Sequence, residues 1–355
     1  MAGVDVFFEP KAVAVVGASP RPDNMGRAIL ENLLAGFKGR IFVVNPKYDQ
    51  VLGLRSYRSV KDVGEAVDVA VIATPAELVP QVVEESGEAG VKGVIIFSGG
   101  FAETGTEEGK RLQDEVVSIS RKYGVRVVGP NCIGVYNYSN GFDTFFLPRD
   151  RMRRPRPGPI AIISQSGALL ATMMDWAASA NIGVSKAINF GNKVDVDEVE
   201  ALEYLLSQDD VKVVLLYIEG VARGRELRDL VRKAVSELDK PVIVVKGGKT
   251  SAGSRATLSH TASIAGNYGV FANSLESSGA IVVDDVELAL RAANALAKMP
   301  HGPLRRVAVI TNSGGHGVLA TDALVSAGVE VPEPSDRLAA ALREAFPSRV
   351  SVRNP

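Results

Sequence analysis

His260 lies in a segment whose composition suits a moving catalytic group. It is one of three histidines among 355 residues, and residues 253–266 around it are mostly small or hydroxyl-bearing. Such a segment has little apolar surface to bury, and its glycine, serine and threonine residues let the backbone bend. An imidazole on this loop can take up a reactive group in one place and deliver it in another. Taken alone, the segment fits a surface loop with an incidental histidine equally well.

A short turn of small residues could hold an anion. The turn 164–167, Ser-Gln-Ser-Gly, connects a predicted strand at 160–163 to a predicted helix at 168–180. The first amides of a helix have no acceptor within it and lie at the positive end of its dipole, so they favour a phosphate. Ordinary N-capping by Ser164 or Ser166 is compatible with this role.

Glu219 follows the predicted strand 213–218. A carboxylate at that position can accept a hydrogen bond from one imidazole nitrogen and leave the other as a nucleophile. The alternative is an exposed loop glutamate. Helix terminus, carboxylate and mobile histidine together predict a phosphoryl-transfer site.

Three other motifs do not support their usual chemistry. Ser166 lacks both glycines of a hydrolase nucleophile elbow. Gly248 to Thr250 resembles the end of a Walker A motif, but its first glycine would fall at Ile243, inside a strand. Cys132, the only cysteine, has no basic neighbour and is expected to be a buried thiol.

Strand-length apolar runs alternate with amphipathic helical segments along the chain, which predicts an α/β fold with two doubly wound domains. The first has predicted strands at 11–16, 40–44, 68–73, 94–97 and 125–128 and helices at 27–35, 78–89 and 107–123. The second, expected to be parallel throughout, has strands at 160–163, 184–189, 213–218, 242–246 and 281–283 and helices at 168–180, 198–207, 226–238, 268–278 and 286–298. A proline- and arginine-rich linker separates them.

The strand ends of the first domain predict a ligand cleft, because ligands of doubly wound sheets bind at the carboxyl ends of strands. The first turn does not match the glycine pattern of a dinucleotide site, since Ser19 replaces its second glycine. Asn45 and Lys47 follow the second strand and suit a phosphorylated ribose, as in coenzyme A or NADP. Taken singly, Lys47 and Arg21 also fit solvated turn residues.

Composition excludes several classes of protein. The 40 basic and 41 acidic residues give a net charge of -1, so electrostatics indicate no nucleic-acid or membrane partner. The chain begins with no signal-peptide pattern and contains no run of apolar residues long enough for a membrane helix. A cytoplasmic protein is expected.

The chain resembles the α subunit of ADP-forming (NDP-forming) acyl-CoA synthetases, in the succinyl-CoA synthetase superfamily. The similarity covers essentially the whole chain. The matching stretches are Gly129-Pro-Asn-Cys132, Ser164-Gln-Ser-Gly167, Phe190-Gly-Asn-Lys-Val-Asp-Val-Asp-Glu198, Tyr217-Ile-Glu-Gly220, Ser259-His-Thr261 and Thr311-Asn-Ser-Gly-Gly315. Each is weak alone, and their number and order make the resemblance strong.

The resemblance implies a Rossmann-like CoA-binding domain at 1–140, a linker at 141–158 and a flavodoxin-like ligase domain at 159–300. It implies the reaction acyl-CoA + ADP + phosphate ⇌ carboxylic acid + CoA + ATP, through an acyl phosphate and a phosphohistidine on His260 that Glu219 orients. Phosphate would contact Ser164, Gln165, Ser166 and Gly167. The residues expected to bind CoA are Gly17, Ala18, Ser19, Arg21, Asn45, Lys47, Thr74, Pro75, Ser98, Gly99, Phe101 and Asn131.

The nucleotide site of this family belongs to an ATP-grasp β subunit, which brings ADP or ATP and Mg²⁺, with an α2β2 assembly as the family expectation. The isolated chain is therefore expected to bind CoA without turnover. Acyl selectivity is expected to depend on the volume near Phe101, Asn131 and Phe145.

Three features depart from the family. Ala262 replaces a usual glycine, and His316 stands where a proline is usual. Residues 304–355 are expected to form the start of a third α/β ligase domain, with a strand at 307–311. The segment is too small to bury a core, so we expect a truncated domain.

Two other functions fit parts of the sequence. One is a non-catalytic module that senses CoA or acyl-CoA, like the synthetase-like part of a protein acetyltransferase; the presence of both His260 and Glu219 argues against it. The other is an NADP-dependent oxidoreductase, which the broken glycine pattern disfavours.

Overall fold

The computed structural model describes residues 3–253, 267–299, 304–348 and 350–353. The chain divides into two compact units, Met1–Met299 and Pro300–Pro355. The larger unit contains two sheets of seven strands each. The predicted α/β fold is confirmed.

The first sheet is built from β1 to β7 in the order β3-β4-β2-β1-β5-β6-β7. Its central strands are continuous Val, Ile and Ala runs that are buried along their whole length, because helices cover both faces. The strands are β1 (Ala12–Val16), β2 (Arg40–Val44), β3 (Gln50–Val51), β4 (Leu54–Tyr57), β5 (Val69–Ile72), β6 (Gly93–Ile96) and β7 (Arg126–Val128).

Three helices pack on this sheet: α1 (Met25–Leu34), α2 (Val79–Glu88) and α3 (Glu107–Tyr123). The ends of α3 follow from its sequence. The Thr106 side chain accepts a hydrogen bond from the Gly109 amide at the start, and Gly124 ends the helix in the left-handed region with a φ of 68°.

The second sheet has the order β14-β13-β12-β10-β11-β8-β9. Its strands are β8 (Gly134–Asn137), β9 (Phe142–Asp143), β10 (Ile160–Ser164), β11 (Val184–Asn189), β12 (Val213–Ile218), β13 (Val242–Lys246) and β14 (Ile281–Val283). The helices around it are α4 (Gly167–Ser179), α5 (Glu198–Leu206), α6 (Gly224–Ser236), α7 (Tyr268–Glu276) and α8 (Val286–Leu296).

The expectation of a purely parallel second sheet is wrong at one edge. β8 pairs antiparallel with β11, and β9 pairs antiparallel with β8. The two strands are short, and β9 falls in a stretch that the sequence predicted to be linker. All other predicted strands and helices of the larger unit agree with the structure to within two residues at each end.

The two sheets meet directly, because the chain leaves β7 and enters β8 through residues 129–133. Buried ion pairs tie the two parts together. Arg126 on β7 contacts Asp195 at 2.8 Å and Glu200 at 2.5 Å, and both carboxylates belong to the second part. At the other end of β7, a Cβ on Gly191, which follows β11, would lie 2.0 Å from the Pro130 carbonyl oxygen, so the carboxyl edges of the two sheets lie next to each other.

The smaller unit contains α9 (Gly314–Ser326) and α10 (Asp336–Ala345). The strand predicted at 307–311 is wrong. In the described part of this unit, strand pairing is limited to one parallel bridge between Arg306 and Glu330. Ile310 is 96% exposed, since the described residues of this unit contain no sheet against which this apolar run could pack.

No helix in the described ranges is long and apolar enough to cross a membrane.

Candidate functional site

A cavity of about 450 Å³ opens at the carboxyl ends of β1, β2 and β5. Seven of the residues predicted to bind CoA line it: Gly17, Ser19, Arg21, Asn45, Lys47, Thr74 and Pro75. Gly17 has a φ of 94°, and a Cβ there would lie 2.5 Å from the Ala73 carbonyl oxygen. Glycine at this position lets the first turn pass close to the end of β5.

The interior of the cavity contains two hydroxyl groups that need a ligand or water. Ser19 Oγ and Thr74 Oγ1 are buried without a hydrogen-bond partner among the described residues. A buried hydroxyl without a partner is costly, so a bound molecule or an ordered water that reaches it would supply the missing hydrogen bond.

The outer part of the cavity is cationic. Lys47 and Arg58 are exposed side chains of the lining. Asn45 lines the cavity and also supports its wall, because its Nδ2 donates to the Ala18 carbonyl and its Oδ1 accepts from the Lys47 amide. Its predicted contact with a ribose stays a prediction. A cavity with cationic side chains at its rim and hydroxyl groups in its lining suits a phosphorylated organic ligand.

Five predicted CoA contacts lie outside the described lining of this cavity: Ala18, Ser98, Gly99, Phe101 and Asn131. Ser98 Oγ donates to the Thr74 carbonyl, so it joins the ends of β6 and β5. Phe101 is fully buried in the hydrophobic core, and so is Phe145. Neither ring therefore borders an open acyl pocket. Asn131 is exposed and has a φ of 58° after the cis Gly129–Pro130 peptide.

The anion turn 164–167 forms the start of α4. Ser164 Oγ accepts from the Ser166 amide and donates to the Ser166 carbonyl, and Ser166 Oγ accepts from the Leu169 amide. The Ser166 amide is thus bound within the turn. The amides of Gly167 and Ala168 are the first of the helix and have no acceptor within it. A Cβ at position 167 would lie 2.6 Å from Ile133 Cγ2.

Gln165 connects this turn to Glu219. Its Oε1 accepts from the Glu219 amide at 2.8 Å and the Gly220 amide at 3.1 Å. Both side chains are about 95% buried. The Tyr217 hydroxyl donates to Glu219 Oε1, and burial together with this carboxylate raises the pKa of Tyr217. Gln165 therefore holds the Glu219 backbone to the turn, and the Tyr217 hydroxyl bonds the Glu219 carboxylate.

Lys246 supports the same strand end from the other side. Its ammonium donates to the Glu219 carbonyl at 2.6 Å and to the Gly247 carbonyl, and it lies 5.6 Å from the centre of the Phe271 ring. Burial lowers its pKa.

Asn189 joins the two sheets at this edge. It is fully buried, its Oδ1 accepts from the Ile133 amide, and its Nδ2 donates to the Ser164 carbonyl. Cys132, beside it, is a buried thiol as predicted: it donates to the Ile96 carbonyl, and burial raises its pKa to about 12.

His260 and the rest of residues 254–266 lie outside the described residues. Its predicted role as the phosphoryl carrier stays a prediction, as does the assignment of Ala262.

Comparison with known proteins decides the family. Residues 11–138 match the CoA binding domain, and residues 157–296 match the succinyl-CoA ligase like flavodoxin domain. The α subunit of acetate–CoA ligase (ADP-forming) II from Pyrococcus furiosus is 38% identical over 99% of this chain and 75% of the relative. The chain belongs to the α-subunit family of the ADP-forming acyl-CoA ligases.

Two further relatives define how much of these ligases the chain represents. Acetate–CoA ligase (ADP-forming) I from Archaeoglobus fulgidus is 39% identical over 98% of this chain, which spans 50% of that relative. The solved structure of acetyl-coenzyme A synthetase 1 from Ca. Korarchaeum cryptofilum, in complex with phosphate and ADP, has a TM-score of 0.90 and 37% identity and covers 100% of this chain and 75% of its own. Ligases of this family therefore contain a further subunit or domain beside the α part.

Several residues of this α subunit escaped the sequence-based search. Arg58 follows β4, a strand too short and polar to be predicted. Asn189 and Lys246 are the last residues of their strands, where a polar residue fits an ordinary strand end. Only the fold shows that both bond to the backbone around the anion turn and Glu219.

Proposed function

We propose that the chain is the α part of an enzyme that interconverts acyl-CoA, ADP and phosphate with carboxylic acid, CoA and ATP. CoA binds in the cavity of the first sheet, phosphate binds at the anion turn, and His260 carries the phosphoryl group. The observation that carries the proposal is the contact between Gln165 and the Glu219 and Gly220 amides, because it ties the residue that bears the carboxylate to the turn at the start of α4.

The cavity of the first sheet supports CoA binding. Its two buried hydroxyls and its cationic rim match a ligand with both polar and phosphorylated parts. The rim residues Lys47 and Arg58 would contact phosphate, and the thioester end would extend toward Asn131. The relatives reported above act on CoA, and the family match of residues 11–138 is to a CoA binding domain.

The edge of the second sheet supports phosphoryl transfer. The amides of Gly167 and Ala168 can donate to phosphate oxygens, and the dipole of the 13-residue α4 favours the negative charge. Glu219 can accept a hydrogen bond from one nitrogen of His260, so that the other nitrogen is the nucleophile. Such a step depends on positioning and charge compensation, which buried residues already held by hydrogen bonds provide.

The reaction then has three bond exchanges. A phosphate oxygen attacks the thioester carbonyl, the C–S bond breaks, and CoA leaves as a thiolate that takes up a proton. The His260 nitrogen attacks phosphorus in the acyl phosphate, and the carboxylate leaves. A terminal oxygen of ADP then attacks the phosphohistidine, and breaking of the P–N bond yields ATP.

We assign the nucleotide to an ATP-grasp partner, as a β subunit or a second domain, with α2β2 as the expected assembly of separate subunits. Mg²⁺ would enter with the nucleotide on that partner. The acyl group is open to a direct screen with acetyl-, propionyl-, 4-hydroxybutyryl- and phenylacetyl-CoA.

The test is ATP formation by the chain mixed with its partner. ATP should appear only when acyl-CoA, ADP and phosphate are all present, and His260→Ala should abolish it. His316→Ala is the matched control, because His316 is exposed on α9 and contacts Ser313. Activity that survives His260→Ala would refute the proposed carrier.

A further inference from the structure

A carboxylate, Glu103, holds the loop that follows β6. Its Oε1 accepts from the Gly100 amide at 2.7 Å and from the Phe101 amide at 3.2 Å. Its Oε2 accepts from Nδ2 of Asn192, which belongs to the second part of the unit. Glu103 therefore occupies backbone donors at the carboxyl edge of the first sheet, where a ligand would otherwise bind.

The charge of Glu103 is not neutralised by a basic side chain. No lysine or arginine in the described ranges forms an ion pair with it, and its donors are two amides and one carboxamide. Gln113 shares the same Asn192 group, and Asn131 donates to Asn192 Oδ1 at 3.4 Å. The partners of this half-buried carboxylate are therefore all neutral groups, so a ligand that binds nearby meets a carboxylate without a paired cation.

Glu103 lies between the proposed CoA cavity and the anion turn. A Cβ at Gly99 would be 3.3 Å from Glu103 Oε1 and 3.6 Å from Asn131 Oδ1, so the two oxygens flank that glycine. On one side, Ser98 bonds to Thr74 of the cavity. On the other, Ile133, two residues after Asn131, packs against Gly167 of the turn. With CoA in the cavity and phosphate at the turn, as proposed above, an acyl group that joins them would lie near this region.

We propose that Glu103 is a specificity-determining residue that restricts the substrate to acyl groups without a second carboxylate. This inference rests on the proposed function. A dicarboxylic acyl group would bring its free carboxylate close to the Glu103 carboxylate and to the Asn131 amide oxygen. Like charges in a partly desolvated site repel each other, and the neighbouring side chains supply no cation to offset the repulsion. An uncharged acyl chain meets no such penalty.

The experiment compares the binding of butyryl-CoA and succinyl-CoA, which have four acyl carbons each, to the full chain by calorimetry. The wild-type chain should bind succinyl-CoA at least about tenfold more weakly than butyryl-CoA. Glu103→Gln keeps an acceptor oxygen for the two amides and removes the charge, so the ratio should fall to within about threefold. Glu108→Gln is the matched control, because this exposed carboxylate lies five residues further along the chain, at the start of α3, and pairs with Arg111; it should leave the ratio unchanged.

Each outcome has a defined meaning. Equal binding of the two thioesters by the wild-type chain, or a ratio that Glu103→Gln does not change, overturns the specificity role and leaves Glu103 as a structural residue of the loop. Loss of CoA binding itself in Glu103→Gln would also overturn it. If the wild-type chain binds neither thioester, the proposed function fails as well. Binding of both thioesters without the expected preference would overturn only the role of Glu103.

Discussion

The carboxyl edges of the two sheets lie side by side but are prepared for different tasks. At the first edge, hydroxyl groups inside a cavity have no partner in the described part of the chain, and the cations around it are exposed. At the second edge, Gln165, Asn189 and Lys246 are buried and bonded to backbone amides or carbonyls. The first edge therefore carries hydroxyl groups that a ligand could bond, whereas Gln165, Asn189 and Lys246 at the second edge already hold backbone groups in place.

This difference separates binding from catalysis within one unit. A binding surface gains affinity from polar groups that exchange water for ligand. A phosphoryl-transfer site gains rate from groups that need no rearrangement during the reaction. Polar substitutions should therefore change ligand affinity at the first edge and protein stability at the second.

Gln165→Ala should give the largest effect. It leaves the buried Glu219 and Gly220 amides without their acceptor, so the free energy of unfolding should fall by about 2–4 kcal/mol in urea titrations. Gln165→Glu retains an acceptor oxygen, so its free energy of unfolding should fall by less than that of Gln165→Ala. Gln208→Ala, at a more exposed glutamine, is the control and should change the free energy of unfolding by less than about 0.5 kcal/mol. An unaltered stability in Gln165→Ala would remove the distinction between the two edges.

Lys47→Ala tests the cationic rim of the first edge. An exposed charge contact contributes about 1 kcal/mol, so CoA affinity should fall about fivefold, while dephospho-CoA affinity should stay the same. Calorimetry on both ligands measures this. Lys61→Ala, which removes a surface pair with Glu88, is the control. Equal losses for the two ligands would place the ribose phosphate elsewhere.

Thr74→Val removes one of the unsatisfied hydroxyls. Because Thr74 Oγ1 has no partner in the described structure, the melting temperature should stay unchanged or rise slightly. CoA should bind a few-fold more weakly, by about the value of one neutral hydrogen bond. A clear loss of thermal stability would mean that the hydroxyl has a structural partner.

Glu198 should make stability depend on pH. Burial raises its pKa above the ordinary value of 4.5, although Lys193 donates to its Oε2 at 2.7 Å. Above pH 4.5 the unfolded chain releases this proton before the folded chain does, so this contribution to stability is lost as the pH rises through the raised pKa. Urea unfolding of wild type and Glu198→Gln across this range should show the wild type losing stability relative to the variant. A difference that stays constant with pH would contradict the raised pKa.

The sequence was sufficient to predict the buried central strands and the helices, but not the short strands at the edges of the sheets. Continuous apolar runs predicted the parallel strands because both faces of those strands are covered. The short strands β3, β4, β8 and β9 have two to four residues each, too few for a recognisable pattern. Their positions depend on pairing with strands that are distant in the chain.

The same distinction holds for the site. The turn 164–167 and Glu219 could be singled out because they combine an unusual local sequence with a position after a strand. Among the residues predicted to contact CoA, Asn45 also supports a backbone turn and Phe101 is buried in the core, which the local sequence did not indicate. Hydrogen bonds between distant segments decide such roles, and a local pattern does not contain them.

The most direct measurement is the location of the phosphoryl group during turnover. The chain, its partner, Mg²⁺ and ATP labelled in the terminal phosphate should give an acid-labile, alkali-stable phosphoprotein, and mass spectrometry should locate the label on His260. Addition of CoA and carboxylic acid should discharge it. Label on another residue, or label that persists in His260→Ala, would contradict the account.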